Sequence, residues 1–431
     1  MTDAVLGLIS LGLIFVGILT GYPMAFTFIF ISLVFGWMGI GDRVVTLMQY
    51  QFFALMRDTT LAAIPLFLFM GFVLEQSGLM ERMFKALRLL LGRVRGSLYL
   101  IVLIVATVFA AATGIVGASV TVLGVMAAPI MMSSKYDTRL SAGAIAAGGT
   151  LGVLIPPSII LILYAILTGE SIGALFAAAL LPGLVATVLY MAAVLVQVLR
   201  KPELGPAGPR YTFRQKLVAM GRIWDAALLI ALVIGGIYGR IFSPTEAAGM
   251  GAMGAFIIAL ARGGLSFADV KEVLIETSYT TASLFSVLIG AWIFSNFVNI
   301  AGMPEALLAM VNQAGFSPMT VILMILAVYL ILGCVFESLS MLLLTVPIFF
   351  PLVISLGFDP VWFGIVVVVV TEISLITPPV GLNVFVLRGV IEDVSTATIF
   401  RGVTPFWVVD IIRLALMVFV PWLILVLPNS M

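Results

Sequence analysis

The sequence has no histidine and only one cysteine, Cys334, among its 431 residues. The lack of histidine excludes imidazole general bases, histidine metal sites and imidazole proton relays, and one cysteine cannot form a disulfide within the chain. Charged residues make up only 10%, against roughly a quarter in soluble domains. The formal net charge of +1 provides no basic field. We therefore expect a lipid bilayer, not water alone, as the main surroundings and exclude nucleic acid as a partner.

Hydrophobic residues make up 63% of the chain and form runs long enough to cross a bilayer, at about 20 residues each. Ten runs are typical of full spans, the first of them a retained span without the features of a signal peptide. Two others, 97–134 and 319–356, are interrupted at 113–117 and 333–338. Each arm is short for a crossing, so the pattern favours re-entrant helical hairpins that enter and leave on one side.

Basic residues indicate the orientation. With the two hairpins in place, all but four of the 21 lysines and arginines fall in loops on one side. The exceptions are Arg43, Arg57, Arg240 and Arg413, of which Arg413 lies in the last span and is predicted to snorkel or to pair with Asp410. The basic side is therefore cytoplasmic, and we expect a multi-pass protein of the bacterial inner membrane.

An internal repeat relates the two halves of the chain. The segment Pro129–Asp137 is echoed by Pro351–Asp359, and Pro156-Pro157 by Pro378-Pro379, all at an offset of 222 residues. Basic residues flank the first hairpin, in the predicted loops 79–96 and 134–140, whereas the equivalent loops 301–318 and 357–360 have none. The copies are therefore predicted to be inverted, an architecture in which substrate and ion sites lie at the midplane.

The predicted fold is an all-α polytopic membrane protein with two inverted repeats, each containing a re-entrant hairpin and a helix broken at Pro-Pro. Between the repeats we expect short interfacial arm helices near 211–220 and 266–276. The predicted units are N-terminal scaffold spans (1–59), the first repeat (60–167), connecting scaffold spans with the arm helices (168–276), the second repeat (277–387) and a C-terminal span (388–431).

The double prolines indicate where the chemistry lies. A proline in a helix has no N–H for the carbonyl four residues earlier, so Pro156 and Pro378 are expected to free the carbonyls of Gly152 and Ser374. The second prolines would do the same to the carbonyls at 153 and 375. Together with the hydroxyls of Ser374 and Thr377, such oxygens suit Na⁺. The alternative is that the prolines only kink packed helices and that neighbouring groups satisfy the carbonyls.

The hairpin tips supply further candidates. Thr113 and Gly114 form the first tip, where the Thr113 hydroxyl is a predicted ligand, although a small-residue packing face is the alternative. The second tip carries Glu337, followed by Ser338. A carboxylate in an apolar run normally faces a cavity or a partner, so Glu337 could bind a cation, carry a proton or orient the substrate. The alternative is an interfacial glutamate.

Four stretches closely resemble the large membrane (M) subunit of TRAP transporters, in the ion transporter superfamily. They are TGIVGAS from Thr113, GTLGVLIPPS from Gly149, SPTEAAG from Ser243 and TPPVGLN from Thr377. The resemblance covers essentially the whole chain. It implies the transport subunit of a Na⁺-driven importer of organic acids, with a small four-span membrane subunit and a periplasmic substrate-binding protein as partners. It also implies elevator-type movement of a transport domain against a scaffold, with Na⁺ as the coupling ion and no other cofactor.

Carried over residue by residue, the resemblance implies two cation sites and a set of substrate-facing residues. The first cation site would use Thr113, Gly152, Ile155 and Pro156; the second Gly333, Ser374, Thr377 and Val380; and the substrate would face Gly114, Glu337, Ser338, Pro157 and Pro379. This chain has Thr-Gly-Ile-Val at the first tip where Ser-Gly-Ser-Ser is frequent, and Glu337 where Asp is frequent. The substrate class therefore stays open.

Two other functions are considered. A stand-alone cation-coupled dicarboxylate or anion symporter with similar hairpins would need no binding protein. A membrane scaffold or an intramembrane enzyme is a different class, but the sequence has no Gly-x-Ser-x-Gly elbow, no histidine zinc motif and no phosphate-binding loop. We therefore expect a transporter and not an enzyme.

Overall fold

The computed structural model describes residues 3–113, 116–221, 223–391 and 393–430. Every regular element in those ranges is a helix, which agrees with the predicted polytopic membrane protein. Seven helical stretches there are long and apolar enough to cross a membrane, or eight if the bent pair over 213–238 is one span. Ten full spans were predicted. The number is smaller because apolar helices such as Met24–Ile40 fall short of 18 residues.

The described residues up to 204 form ten α-helices. They are α1 (Asp3–Leu19), α2 (Met24–Ile40), α3 (Arg43–Arg57), α4 (Ala63–Gln76), α5 (Leu79–Leu91), α6 (Ser97–Thr113), α7 (Val116–Ser133), α8 (Thr138–Leu154), α9 (Ile159–Thr168) and α10 (Ile172–Arg200), with 3₁₀ turns at Thr59–Ala62 and Pro202–Leu204.

The described residues from 205 onward form eleven more. They are α11 (Phe213–Met220), α12 (Trp224–Tyr238), α13 (Pro244–Ala261), α14 (Phe267–Ile300), α15 (Met303–Ala314), α16 (Pro318–Gly333), α17 (Ser338–Ser355), α18 (Pro360–Ser374), α19 (Leu382–Val390), α20 (Thr396–Phe419) and α21 (Trp422–Leu425), followed by a 3₁₀ turn at Pro428–Ser430.

The helix bounds follow the repeat found in the sequence. Both ends of α7 and α17 differ by 222 residues, and so do the first residues of α8 and α18. An aspartate caps each of the latter two helices, because Asp137 Oδ1 accepts from Leu140 N (2.8 Å) and Asp359 Oδ1 accepts from Trp362 N (2.9 Å). The paired caps start the two helices at equivalent positions.

Two predicted loops contain helices instead. Helix α5 occupies most of 79–96, and α15 occupies most of 301–318. In α5 the charged pair Glu81–Lys85 is exposed, while Met83 and Phe84 are buried. The loop assignment was wrong because charge was counted without regard to its helical spacing, which leaves one apolar face free for packing.

The arm predicted at 266–276 is not a separate helix. Helix α14 runs without interruption over 34 residues from Phe267 to Ile300, starting with a capping box in which Ser266 and Asp269 each bond the other's backbone N–H. No proline interrupts it, so the amphipathic segment continues directly into the apolar one. The predicted boundary at 276/277 therefore falls inside a helix. The arm predicted near 211–220 corresponds to α11.

Helices α8 and α18 lie at the centre of the molecule. Every residue from Leu140 to Leu154 in α8 is buried, and so is every residue from Trp362 to Ser374 in α18. A helix that is apolar on all sides belongs in a core. Helices α6, α7 and α20 pack around α8, while α10, α16, α17 and α20 pack around α18. A smaller core joins α1, α2, α14 and α17.

Candidate functional site

The first helix break lies where two prolines follow α8. Ile155 provides the last N–H before Pro156 and Pro157, which are joined by a cis peptide bond. Ser158 then caps α9. Residues 151–160 are all buried, so this break lies inside the protein, where polar backbone groups need partners.

No described residue donates a hydrogen bond to the carbonyl of Gly152 at this break. Its helical partner would be Pro156, which has no N–H. The carbonyl of Val153 differs, because the Ser158 hydroxyl donates to it. The prediction of a free oxygen at Val153 is therefore wrong, whereas the one at Gly152 agrees with the described residues and stays a prediction.

The second break separates α18 from α19. More of its backbone carbonyl oxygens accept hydrogen bonds than at the first break. Thr377 N donates to the Ser374 carbonyl oxygen (3.2 Å), and Asn383 N donates to the Leu375 carbonyl oxygen (3.1 Å). The prediction that both oxygens are free is wrong, because the chain turns back and supplies N–H groups. A carbonyl oxygen has two lone pairs, so each oxygen retains one for a further ligand.

The second hairpin contacts this break directly. Gly333, the last residue of α16, lies so close to Ser374 that a Cβ at Gly333 would overlap the Ser374 side chain. The Ser374 hydroxyl donates to the carbonyl oxygen of Thr371 (2.6 Å). The structure thus brings together two residues that the sequence predicted to share a cation site.

Thr377 lies beside them at the end of the helix. Its hydroxyl donates to the Ile373 carbonyl oxygen (2.7 Å) and accepts from Trp407 Nε1 (3.0 Å). One lone pair of the hydroxyl oxygen remains. Val380 is 38% exposed, and Pro379 is exposed as well, so this break is open on one side while the first is closed.

A cavity of about 220 Å³ is lined by residues of both hairpins and by residues that adjoin the two breaks. Its wall includes the first residues of three helices, Ile159 of α9, Ser338 of α17 and Leu382 of α19. Helix N-termini carry unpaired N–H groups and the positive end of the helix dipole, which favour anions. Leu68 of α4 and Leu284 of α14 complete the wall.

Glu337 and Ser338 of the second tip both line this cavity. Glu337 lies deep in the protein, yet its side chain is accessible because it faces the cavity. Ser340 Oγ donates to Glu337 Oε2 (3.4 Å). Ser338 Oγ is buried without a hydrogen-bond partner among the described residues, which is unusual for a buried hydroxyl and leaves it available to a bound molecule.

The structure describes only part of the first tip. Thr113 ends α6, but its side chain and all of Gly114 lie outside the described residues, so their roles stay predictions. Gly117 of α7 lines the cavity. Gly152 lies against Ala110 of α6, whose Cβ is 3.8 Å from where a Cβ at Gly152 would be. The first hairpin therefore contacts the first break.

A polar cluster that the sequence only partly predicted lies next to both breaks. The predicted pair of Arg413 with Asp410 is confirmed, with Nη2 3.0 Å from Oδ1. The same nitrogen donates to Glu372 Oε2 (2.7 Å), and Tyr190 donates to Asp410 Oδ2 (2.6 Å). All four side chains are fully buried. Glu372 could have been noticed as an ionisable residue in an apolar run, but only the fold shows its partner.

Helices broken at Pro-Pro, two helical hairpins and three helix N-termini lie around one cavity, an arrangement typical of multi-span membrane transporters. The model of the family described as "Tripartite ATP-independent periplasmic transporter, DctM component" matches residues 11–423. The chain belongs to this family. The predicted resemblance to the large TRAP subunit is thereby confirmed.

Individual relatives cover most of the chain. The C4-dicarboxylate TRAP transporter large permease protein DctM of Pseudomonas aeruginosa is 34% identical over 371 residues, which is 86% of each chain. The sialic acid TRAP transporter large permease protein SiaM of Vibrio cholerae is 31% identical over 420 residues, or 97% of this chain and 96% of SiaM.

A solved structure shares the fold. The YdaH transporter of Alcanivorax borkumensis superimposes with a TM-score of 0.62 over 89% of this chain and 88% of that one, at 16% sequence identity. At this identity the likeness concerns the fold alone.

Proposed function

We propose that this protein is the large transmembrane subunit of a Na⁺-coupled secondary importer of organic acids in the bacterial inner membrane. It would work with a small four-span membrane subunit and a periplasmic substrate-binding protein. The observation that carries the proposal is the cavity, whose wall combines three helix N-termini with both hairpins and both Pro-Pro breaks.

Organic acids suit the cavity because helix N-termini stabilise carboxylates. The first residues of α9, α17 and α19 all face it, and the Ser338 hydroxyl has no protein partner among the described residues. The relatives named above are named for C4-dicarboxylates and sialic acid, which are both carboxylic acids. Gly114, Pro157 and Pro379 are the further substrate-facing residues in this proposal.

Sodium coupling follows from the oxygens at the breaks. The carbonyl of Gly152, to which no described residue donates, would form the first cation site with Ile155, Pro156 and Thr113. Gly333, Ser374, Thr377 and Val380 would form the second, mainly through carbonyl oxygens. Hard oxygen ligands without a cluster of carboxylates suit a weakly charged cation.

The proposed mechanism is an elevator movement of two inverted repeats. The large core around α8 and α18 would form the moving part, and α2, α4, α13 and α14, which pack against one another, would form the scaffold. The equal helix bounds of α7 and α17 and the unequal charge of their flanking loops support inversion.

Reconstituted uptake tests the proposal. Proteoliposomes that contain both membrane subunits should accumulate a labelled C4-dicarboxylate or sialic acid only with an inward Na⁺ gradient and the cognate binding protein. Undiminished uptake without the binding protein would favour the stand-alone symporter instead. Uptake that is indifferent to Na⁺ would contradict the proposed coupling.

A further inference from the structure

A single hydrogen bond joins the two central helices at positions that the repeat makes equivalent. The Thr150 hydroxyl of α8 lies 2.9 Å from Glu372 Oε1 of α18, and these residues are 222 apart in sequence. Both side chains are fully buried. The hydroxyl also lies 2.8 Å from the carbonyl oxygen of Ala147, so its one proton is shared between an acceptor on its own helix and one on the other helix.

The contact lies next to both proposed cation sites. Thr150 lies two residues before Gly152, and Glu372 lies two residues before Ser374. Gly152 and Ser374 are ligands of the two cation sites in the proposed function, on which this inference rests. The contact therefore connects the last turns of two helices, each of which ends at a different cation site.

Neighbouring charged and polar side chains hold the Glu372 side chain in place. Arg413 Nη2 donates to Glu372 Oε2 (2.7 Å) and is itself 3.0 Å from Asp410 Oδ1, while Tyr190 donates to Asp410 (2.6 Å). These charged groups are shielded from solvent, and separating them there is costly. Glu372 therefore cannot easily rotate away from Thr150.

Helices α8 and α20, which both contribute to the cluster, also pack closely. Gly143 of α8 and Gly402 of α20 lie so near each other that a Cβ on Gly143 would overlap the Gly402 carbonyl. Helix α20 carries Arg413 and Asp410. Because closely packed helices leave little room for independent movement, this contact supports a fixed placement of Arg413 and Asp410 relative to α8.

We infer that the Thr150–Glu372 hydrogen bond couples the two cation sites, so that Na⁺ at one site favours Na⁺ at the other. Neither residue touches an ion; both are positioning residues that keep the two broken helix ends in register. If Na⁺ at one site favours Na⁺ at the other, Na⁺ binding is cooperative, and we expect the Na⁺ activation curve of uptake to be sigmoidal in the unaltered protein.

The test compares Na⁺ activation curves of uptake in proteoliposomes with the complete transporter and its binding protein. Thr150→Val keeps the shape of the side chain but removes the hydroxyl, and it should lower the Hill coefficient to about 1 and raise the half-saturating Na⁺ concentration several-fold. Thr150→Ser retains the hydroxyl and should retain cooperativity. If Thr150→Val does not reach the membrane, Thr150→Ala carries the same expectation.

Thr371→Val is the matched control. Thr371 is fully buried and adjacent to Glu372, but its hydroxyl bonds only the Val367 carbonyl oxygen of its own helix (2.8 Å) among the described residues. The substitution keeps the Thr371 backbone carbonyl that Ser374 uses. It should leave the Hill coefficient at the value of the unaltered protein.

The outcomes separate this inference from the proposed function. Uptake that ignores Na⁺ in the unaltered protein would overturn both. Cooperative activation that persists in Thr150→Val, or an equal loss of cooperativity in Thr371→Val, would overturn the coupling role alone and leave the transport function standing.

Discussion

Single residues at the second break bear most directly on ion binding. The Thr377 hydroxyl has one lone pair left after its bonds with Ile373 and Trp407. Thr377→Ala should therefore raise the half-saturating Na⁺ concentration roughly tenfold, equivalent to ~1.4 kcal/mol, with little change in the amount of folded protein. Na⁺-dependent uptake measures the first effect, and size-exclusion chromatography of the purified protein measures the second.

Trp407→Phe is the control for this prediction, because it removes the indole donor but leaves the Thr377 oxygen in place. It should change Na⁺ activation much less than Thr377→Ala. Equal shifts in the two variants would indicate that the hydrogen bond, not ion ligation, is what matters.

A second prediction for a single residue concerns Gly333. A methyl group there would overlap the Ser374 side chain, so Gly333→Ala should push Ser374 out of place at a cost of about 1–3 kcal/mol. We expect weaker Na⁺ activation of uptake. Gly389→Ala, whose Cβ would meet open space, should behave like the unaltered protein. Unimpaired Na⁺ activation in Gly333→Ala would argue against a close second site.

Among the elements, the two broken helices are the ones on which the proposed cation sites depend. Pro378→Ala supplies an N–H that would compete with Thr377 N for the Ser374 carbonyl oxygen and allow α18 to extend as far as Pro379. Uptake coupled to Na⁺ should be lost although the protein stays in the membrane. Coupling is measured as accumulation with and without a Na⁺ gradient.

Pro405→Ala provides the comparison, because Pro405 lies inside α20 and outside both breaks. It should retain coupled uptake. Normal coupling in Pro378→Ala would show that the break does not form the cation site.

The crossing of α8 and α20 gives a prediction about stability. A Cβ at Gly402 would overlap the Arg139 carbonyl, so Gly402→Ala should destabilise the protein by about 1–3 kcal/mol and lower its thermal unfolding temperature. Gly235→Ala in α12 meets open space and should not destabilise, since Ala is favoured over Gly in helices. Equal unfolding temperatures of the Gly402→Ala and Gly235→Ala proteins would mean that α8 and α20 can move apart at little cost in free energy.

At the scale of elements, the sequence predicts what depends on local chemistry. The breaks after α8 and α18 follow from the double prolines, and both are found. The aspartates that cap the starts of these helices are equally local but were not predicted. The partners of the freed carbonyls could not be predicted. They depend on how the chain returns, as when Asn383 N reaches the Leu375 carbonyl oxygen.

The same limit applies to α5 and to the polar cluster. Charged loops and amphipathic helices have similar compositions, so only the spacing of buried residues in α5 distinguishes them. The Arg413–Asp410 pair is local and was predicted. The bond to Glu372 spans 41 residues and requires the tertiary fold.

The whole molecule belongs to a transporter family, and its fold is shared with a solved transporter. Its central cavity combines features from both halves of the chain, since Gly117 comes from the first hairpin and Glu337 from the second. Because neither half encloses the cavity alone, we expect each half expressed separately to bind no substrate. Binding by either half in a calorimetric titration would contradict a shared site.

The central claim is that two cations bind at the two Pro-Pro breaks. Experimental density maps of the complete transporter in lipid nanodiscs, recorded once in Na⁺ and once in choline, test it most directly. We predict a density peak among Gly152, Ile155 and Pro156 and another among Gly333, Ser374 and Thr377 in Na⁺, with both absent in choline. Unbroken helices at these positions, or maps without peaks in Na⁺, would contradict the account.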